Sequence, residues 1–234
     1  MLHTREQAIY SLQNFSLNIN GVIEIQASSI PGEYIVPELM ADFKQEYPET
    51  RFYLEQSDSE KVVNNLLEHK GDIGFSGAKL DDELTYEPLI KDKAVLITPA
   101  NEYFRSKCGQ GPLKTKEFVR QPFIMREQGS ATRESFETKL KKEGILPDSI
   151  KVAARMNSME AIKKSVAGGM GVSIISEAAV DWHRDEQDYM VFDIDGYDFN
   201  REFYLVYNSK VTMSPTVETF KYFVLKHFGY PEED

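Results

Sequence analysis

Residues 21–43 read GVIEIQASSIPGEYIVPELMADF, and the change of period inside this stretch decides the fold. In GVIEIQA, residues 21–27, Ile23, Ile25 and Ala27 fall on one side of an extended chain, the period-2 mark of a strand. A turn of small and hydroxyl-bearing residues follows, Ala27-Ser28-Ser29-Ile30-Pro31-Gly32. Ile35, Leu39 and Phe43 then recur at i, i+4 and i+8, one face of a helix. The same sequence of patterns repeats downstream. RFYLEQ (51–56) reads as a second strand, SEKVVNNLLEHK (59–70) as a helix, and DIGFSG (72–77) as a third strand. KAVLITP (93–99) reads as a fourth, stopped at Pro99, which has no N–H to donate to a ladder.

A second series then begins. QPFIM (121–125), a helix over 131–143, IKVAAR (150–155), a helix over 158–167 and GVSIIS (171–176) restart the alternation. REFYLVYN (201–208) reads as a strand, and Ser214-Pro215 as N-cap and first residue of a last helix carrying Val217, Phe220, Val224 and Phe228 on one side. Strands alternating with helices predict an α/β fold of two Rossmann-like lobes. Residues 20–98 with 201–234 are expected to form lobe I and 99–200 lobe II, with 1–19 a tail. Two extended crossings, near 94–100 and 200–206, predict a hinged cleft. Open α/β sheets bind ligands outside the carboxyl ends of their strands, so the turns after strands are where function is expected.

Composition narrows the function. A chain of 234 residues that is 41% hydrophobic and 12% aromatic has the material for real cores, which excludes a disordered chain. The formal net charge of -11 argues against a nucleic-acid surface on these residues, because phosphate binding draws on clustered Lys and Arg. A lone cysteine, Cys108, excludes an internal disulfide and suits a reducing cytoplasm. No apolar run approaches the roughly 18 residues of a membrane span, and the N-terminus lacks the apolar core and cleavage site of a signal peptide. No membrane partner is expected.

Several chemical motifs fail on inspection. AGGMGVS (167–173) lacks the Lys-Ser/Thr of a phosphate loop and precedes a strand, so it reads as a helix C-cap and turn. In DIDGYD (193–198) the glycine comes too early for a calcium loop and the closing Glu is missing. His3, His69, His183 and His227 have neither i, i+4 pairing nor a cysteine companion. No G-x-S-x-G occurs. Neither a metal, nor a cofactor, nor catalysis is expected.

Four strand-end turns carry the remaining signal: Ser28, Ser29 and Ile30; Ser76 and Gly77; Gln128, Gly129, Ser130 and Thr132; and Asn157 with Ser158. Each lies where a strand ends, the first, third and fourth where a helix begins. Helix N-termini leave backbone N–H groups unpaired and carry partial positive charge, so amides and hydroxyls alone can hold a small anion. The competing reading is that Ser, Thr and Asn merely cap helices. The arginines of the third turn are open between two roles. Arg126 or Arg133 closes over an anion or holds the loop from behind, or both pair with Glu127, Glu134 or Glu137.

The segments ASSIPGEYIVPELMADFKQEYPETRFYLEQSDSEKVVNNLLEHKGDIGFSG, REQGSATRESFE and NSMEAIKKSVAGGMGVSIIS, in that order and spacing, resemble the effector-binding domain of LysR-type transcriptional regulators. The resemblance runs from about Gly21 to Phe228, with a sulfur- and cysteine-metabolism-like flavour in its strand-end segments. It implies a type II periplasmic-binding-protein-like fold with a small-molecule effector, an anion or small acid, between the lobes. It maps the effector site onto Ser28, Ser29, Gly77, Ser130, Thr132, Asn157 and Ser158. It also implies homodimers, or tetramers in a full-length regulator, a cytoplasmic location and a transcriptional output. Such regulators carry a winged helix-turn-helix ahead of this domain. That leaves two expectations, a fragment whose residues 4–15 are the end of a linker helix, with DNA reached only through the absent reader, or a stand-alone domain. The family's dimer implies that 37–47 faces 130–142 of a partner, with Tyr34, Met40 and Phe136 as candidates for that surface or for core. The rivals are a periplasmic-type solute-binding protein, which would require secretion, and an enzyme on the same fold, which would require a buried acid–base pair.

Overall fold

A computed structural model describes residues 19–180, 188–197 and 201–230. In chain order the strands are β1 (Gly21–Ser28), β2 (Thr50–Ser57), β3 (Ile73–Ser76), β4 (Thr85–Asp92), β5 (Ala94–Pro99), β6 (Phe123–Arg126), β7 (Val152–Met156), β8 (Ser173–Ser176), β9 (Tyr189–Phe192) and β10 (Arg201–Tyr207). The helices are α1 (Val36–Glu46), α2 (Ser59–Leu67), α3 (Glu102–Arg105), α4 (Thr115–Phe118), α5 (Ala131–Lys142), α6 (Met159–Ala167) and α7 (Pro215–His227). The chain divides into two units, one of residues 1–91 and 201–234, the other of 92–200. The expected linker remnant at 4–15 and His183 lie outside the described residues.

The first unit is a five-stranded sheet in the order β2-β1-β3-β10-β4. β1 runs parallel to β2 and β3, and β10 runs antiparallel to β3. The alternation read in β1 is realised: Ile23, Ile25 and Ala27 are fully buried on one face. On that side α1 and α7 supply Leu39, Phe43, Val217, Phe220 and Val224 to the same core. Phe43 meets Phe220 and Phe223 edge-on at ring separations of 5.1 and 5.3 Å, the favoured aromatic geometry. On the other side Gln26 is buried but satisfied, donating to Glu55 and to the Lys70 carbonyl and accepting from Asn65 of α2. β4 escaped the sequence reading because Pro88 interrupts it; as the sheet's edge strand it tolerates a residue without an N–H.

The second unit holds a three-stranded sheet, β8-β5-β9, and a parallel pair, β6-β7. β5 is antiparallel to both of its neighbours, and all six of its residues are buried. This moves the lobe boundary. The 93–99 strand, expected to close lobe I, is the centre of the second unit's sheet, where β8 and β9 pair with it on either side. A core of Phe104, Phe118, Phe123, Phe136 and Leu140 packs nearby. Phe136, 1% exposed, stacks on Phe123 at 5.3 Å and is therefore core, unavailable to a dimer surface. Met40 packs partly buried against the first unit's core. As read from the sequence, α6 ends in a glycine turn, with Gly168 at its C-cap and Gly169 at a φ of 82°. Among the described residues no helix is long and apolar enough to cross a membrane.

Candidate functional site

In the first unit the parallel register puts the carboxyl ends of β2, β1 and β3 side by side. Ser28 pairs with Ser57, and Ala27 pairs with Phe75, so Ser76 follows at the same edge. Ser28 and Ser76 are buried, 6% and 0% exposed. The Ser76 hydroxyl is spent locally: it donates to the Ala78 carbonyl at 2.8 Å and accepts from the Ala78 N–H at 3.2 Å, closing its own turn. The Ser29 carbonyl accepts from Gln56 at 3.2 Å, tying the first turn to β2. Ile30 heads a π-helical turn, Pro31–Ile35, that runs into α1 without any side-chain cap. The fold brings the candidates Ser28, Ser29, Ile30, Ser76 and Gly77 to one sheet edge.

Two further residues at this edge were missed. Ser57 closes β2 opposite Ser28; its strand-end position before the Asp58 cap was a readable signal. Arg201 was not readable. It lies 125 positions after Ser76 in the chain, and it arrives at this edge because β10 is antiparallel to β3, with Tyr204 opposite Ser76. The Arg201 guanidinium lies over the Phe203 ring at 4.6 Å. A Cβ added to Gly77 would stand 3.8 Å from its Nη1 and 3.4 Å from the Phe203 ring. Nearby, the Tyr204 hydroxyl donates to Glu202 at 2.9 Å. Burial first, then the bond to this carboxylate, hold the Tyr204 phenol above its ordinary value, so it stays a donor.

In the second unit β6 and β7 end together, with Arg126 paired to Met156. Their following turns therefore share one edge: Gln128, Gly129, Ser130, Thr132 and Arg133 after β6, Asn157 and Ser158 after β7. Gly129 takes a φ of 83°, the left-handed conformation that reverses the chain into α5. Ser130 is the N-cap residue of α5, yet its side chain makes no capping bond; only its carbonyl accepts, from the Glu134 N–H at 3.0 Å. Ser130 and Thr132 are buried, 8% and 2% exposed. Ser158 behaves differently. It is exposed, and its hydroxyl accepts from the Ala161 N–H at 3.3 Å, an ordinary helix cap. Asn157 beside it is exposed.

Both arginines pair with glutamates. Arg126, 6% exposed, grips both oxygens of Glu127 at 2.7 and 2.8 Å. Arg133 donates to Glu137 at 2.7 Å and to the Arg126 carbonyl at 3.4 Å, so it holds α5 against the end of β6. Of the two roles left open by sequence, the structure shows glutamate pairing for both and loop-holding for Arg133. Among the described residues, no three His, Cys, Asp or Glu side chains gather into a metal site. What each edge presents chemically is small hydroxyl-bearing residues and turn or helix-start amides, a donor set suited to oxygen anions.

Comparison with known proteins identifies the family. The LysR substrate binding domain family matches residues 18–229. The uncharacterized HTH-type transcriptional regulator MJ0300 of Methanocaldococcus jannaschii is 32% identical over 209 residues, covering 89% of this chain and 70% of the relative. The uncharacterized HTH-type transcriptional regulator YeiE of Escherichia coli K12 is 33% identical over 177 residues, covering 75% of this chain and 58% of the relative. Among solved structures, the Synechocystis PCC6803 CcmR regulatory domain in complex with 2-PG superposes with a TM-score of 0.78 at 22% identity. That match covers 90% of this chain and 98% of the other.

Proposed function

The chain belongs to the LysR substrate-binding domain family, and on that premise we propose that it is the effector-sensing part of a DNA-binding transcriptional regulator whose effector is a small anion. Within the first unit the candidate contacts are Ser28, Ser29, Ile30, Ser76 and Gly77; within the second, taken by itself, they are Gln128, Gly129, Ser130, Thr132 and Asn157, with Arg133 holding the loop and Ser158 capping α6. The observation that carries this reading is Ser130: a buried serine at a helix start whose hydroxyl is not used as a cap. The α5 first-turn amides and that hydroxyl are then available to an anion, where the helix dipole favours negative charge. The complex of CcmR with 2-PG supports an anionic ligand on this fold.

In this reading the effector acts by population shift: it binds one state of the regulator more tightly, and the regulator's DNA contacts follow. No bond is made or broken. DNA is met by a separate reader domain, which fits a net charge of -11 here. The working unit is a cytoplasmic homodimer. Light scattering after size exclusion is expected to give twice the chain mass, and a monomer at micromolar concentration would contradict it.

The test is titration calorimetry of the wild-type and Ser130→Ala chains with 2-phosphoglycolate, sulfate and a panel of small carboxylates. At least one is expected to bind saturably. Ser130→Ala should weaken it about tenfold or more, as expected for one lost hydrogen bond to a charged group. Saturable binding that Ser130→Ala leaves unchanged would remove the turn from the site.

A further inference from the structure

We propose that the first unit carries a second ligand site, separate from the strand-end turns, and that this site takes a free aromatic amino acid. It is a cavity of about 680 Å³ lined from the end of α1, from β4, from the end of β10 and from α7, a volume ordinary for a small-molecule pocket. It lies at the opposite end of the sheet from Ser28 and Ser76. Tyr47 leads into β2, whose first residue, Thr50, donates to the Tyr47 carbonyl and pairs with Gly21 at the start of β1. Tyr207 ends β10, which runs antiparallel past the start of β3. The eight residues of β1 put about 23 Å between the two ends.

The lining combines aromatic rings with both signs of charge. Tyr47, Tyr207, Tyr222, Phe223 and Tyr230 supply the rings. Half-buried Lys221 lies over two of them, its ammonium 5.2 Å from the Tyr207 centroid and 4.5 Å from that of Tyr222. Among the described residues it has no ion pair and no hydrogen bond. Glu87, also half-buried, accepts from the Tyr207 hydroxyl at 3.2 Å. A cation and a carboxylate therefore meet at one tyrosine without pairing with each other. Glu46, exposed, adds a second carboxylate to the lining. A molecule with a ring and both charges complements all three features. Its carboxylate meets Lys221 and its ammonium meets Glu87 or Glu46, each as a charge-assisted bond, while its ring packs against the tyrosines in the edge-on or offset geometry aromatic pairs favour. An aromatic acid without an amine would bring its charge against two carboxylates. An aromatic amine without an acid would leave Lys221 with no anion.

The full chain is titrated by calorimetry with phenylalanine, tyrosine and tryptophan, and with two truncated probes, 3-phenylpropanoate, which lacks the ammonium, and phenethylamine, which lacks the carboxylate. At least one amino acid is expected to bind saturably, and each truncated probe to bind about tenfold or more weakly, as for the loss of one bond between charged groups. Lys221→Met keeps a stem over the tyrosines and removes the charge. It should weaken the amino acid by about tenfold to a hundredfold and bring its affinity down to that of phenethylamine. Tyr222→Ser, at a residue 45% exposed, should also weaken binding and carries the test if the Met variant does not fold. No saturable binding of any of the three amino acids overturns the proposal. So does 3-phenylpropanoate binding as tightly as phenylalanine, since the carboxylates would then play no part. Amino-acid binding that Ser130→Ala abolishes and Lys221→Met leaves intact overturns it too, by placing the ligand at the strand-end turns; the reading of those turns as an anion site is tested separately and survives failure here.

Discussion

At the scale of single residues, two serines that look alike in sequence do different work. Ser158 spends its hydroxyl on the Ala161 N–H, so Ser158→Ala should destabilise the chain by about 1 kcal/mol, the usual worth of a cap. Ser130 makes no such bond, and Ser130→Ala should leave stability within about 0.5 kcal/mol. Urea unfolding of the two variants measures the contrast; equal losses would mean that Ser130 caps after all. A second residue-scale prediction concerns pH. Glu117 pairs with Lys107 at 2.7 Å and accepts from the Lys114 N–H at 3.0 Å. The Lys107 bond first, then the Lys114 N–H, hold the Glu117 carboxyl below its ordinary value. A carboxylate lowered in the folded state stabilises fully above its unfolded value of about 4.3, and that contribution fades as pH falls through the lower folded value. Wild type should therefore exceed Glu117→Gln in stability at neutral pH, and the gap should close as the solution is acidified below about pH 4. A gap that is constant with pH would show that the pair does not couple to folding.

At the scale of elements, α5 carries the candidate turn with Ser130 at one end and core residues along its length. Phe136 on its inner face stacks on Phe123 and Phe118 at 5.3 and 6.4 Å. Phe136→Ala should cost about 3–5 kcal/mol, the range for emptying a phenylalanine site. An interface role would instead leave stability intact and change the oligomeric state, so melting and light scattering on the same variant separate the two. The strand pairing beside it is as sensitive. Gly171 lets the chain entering β8 approach the end of the segment before β6, where the Val172 N–H donates to the Pro122 carbonyl at 2.8 Å. A Cβ at 171 would stand 2.3 Å from that carbonyl oxygen. Gly171→Ala should therefore destabilise the second unit by more than the ordinary surface substitution, read as a lowered urea midpoint.

At the scale of the whole molecule, the two units differ in how they are built from the chain. Residues 92–200 are continuous, whereas the first unit needs 1–91 and 201–234 together. Leu205, Val217, Phe220 and Val224, all within its buried core, come from the second segment. A fragment of residues 1–91 is thus expected to show no cooperative melt by circular dichroism. A fragment of 92–200 is expected to melt cooperatively. A folded 1–91 fragment would show that β10 and α7 are dispensable to that core.

Element types and strand-end chemistry were legible because they are local. Ile23, Ile25 and Ala27 declare a strand by alternation, Leu39 and Phe43 a helix by spacing, and Ser214-Pro215 a helix start by capping, where the Ser214 hydroxyl does accept from the Val217 N–H. The serine turns were legible for the same reason: they fall where one period stops and another starts. Which strand joins which sheet was not. β5 reads as a strand in any company, and only its long-range pairing with β8 and β9 assigns it to the second unit. The direction of β10, and with it the position of Arg201 beside Gly77, is a pairing across more than a hundred residues that no local pattern encodes. The same holds for the arginines at α5: sequence supplied the charges, while the packed loop chose Glu127 and Glu137 as their partners.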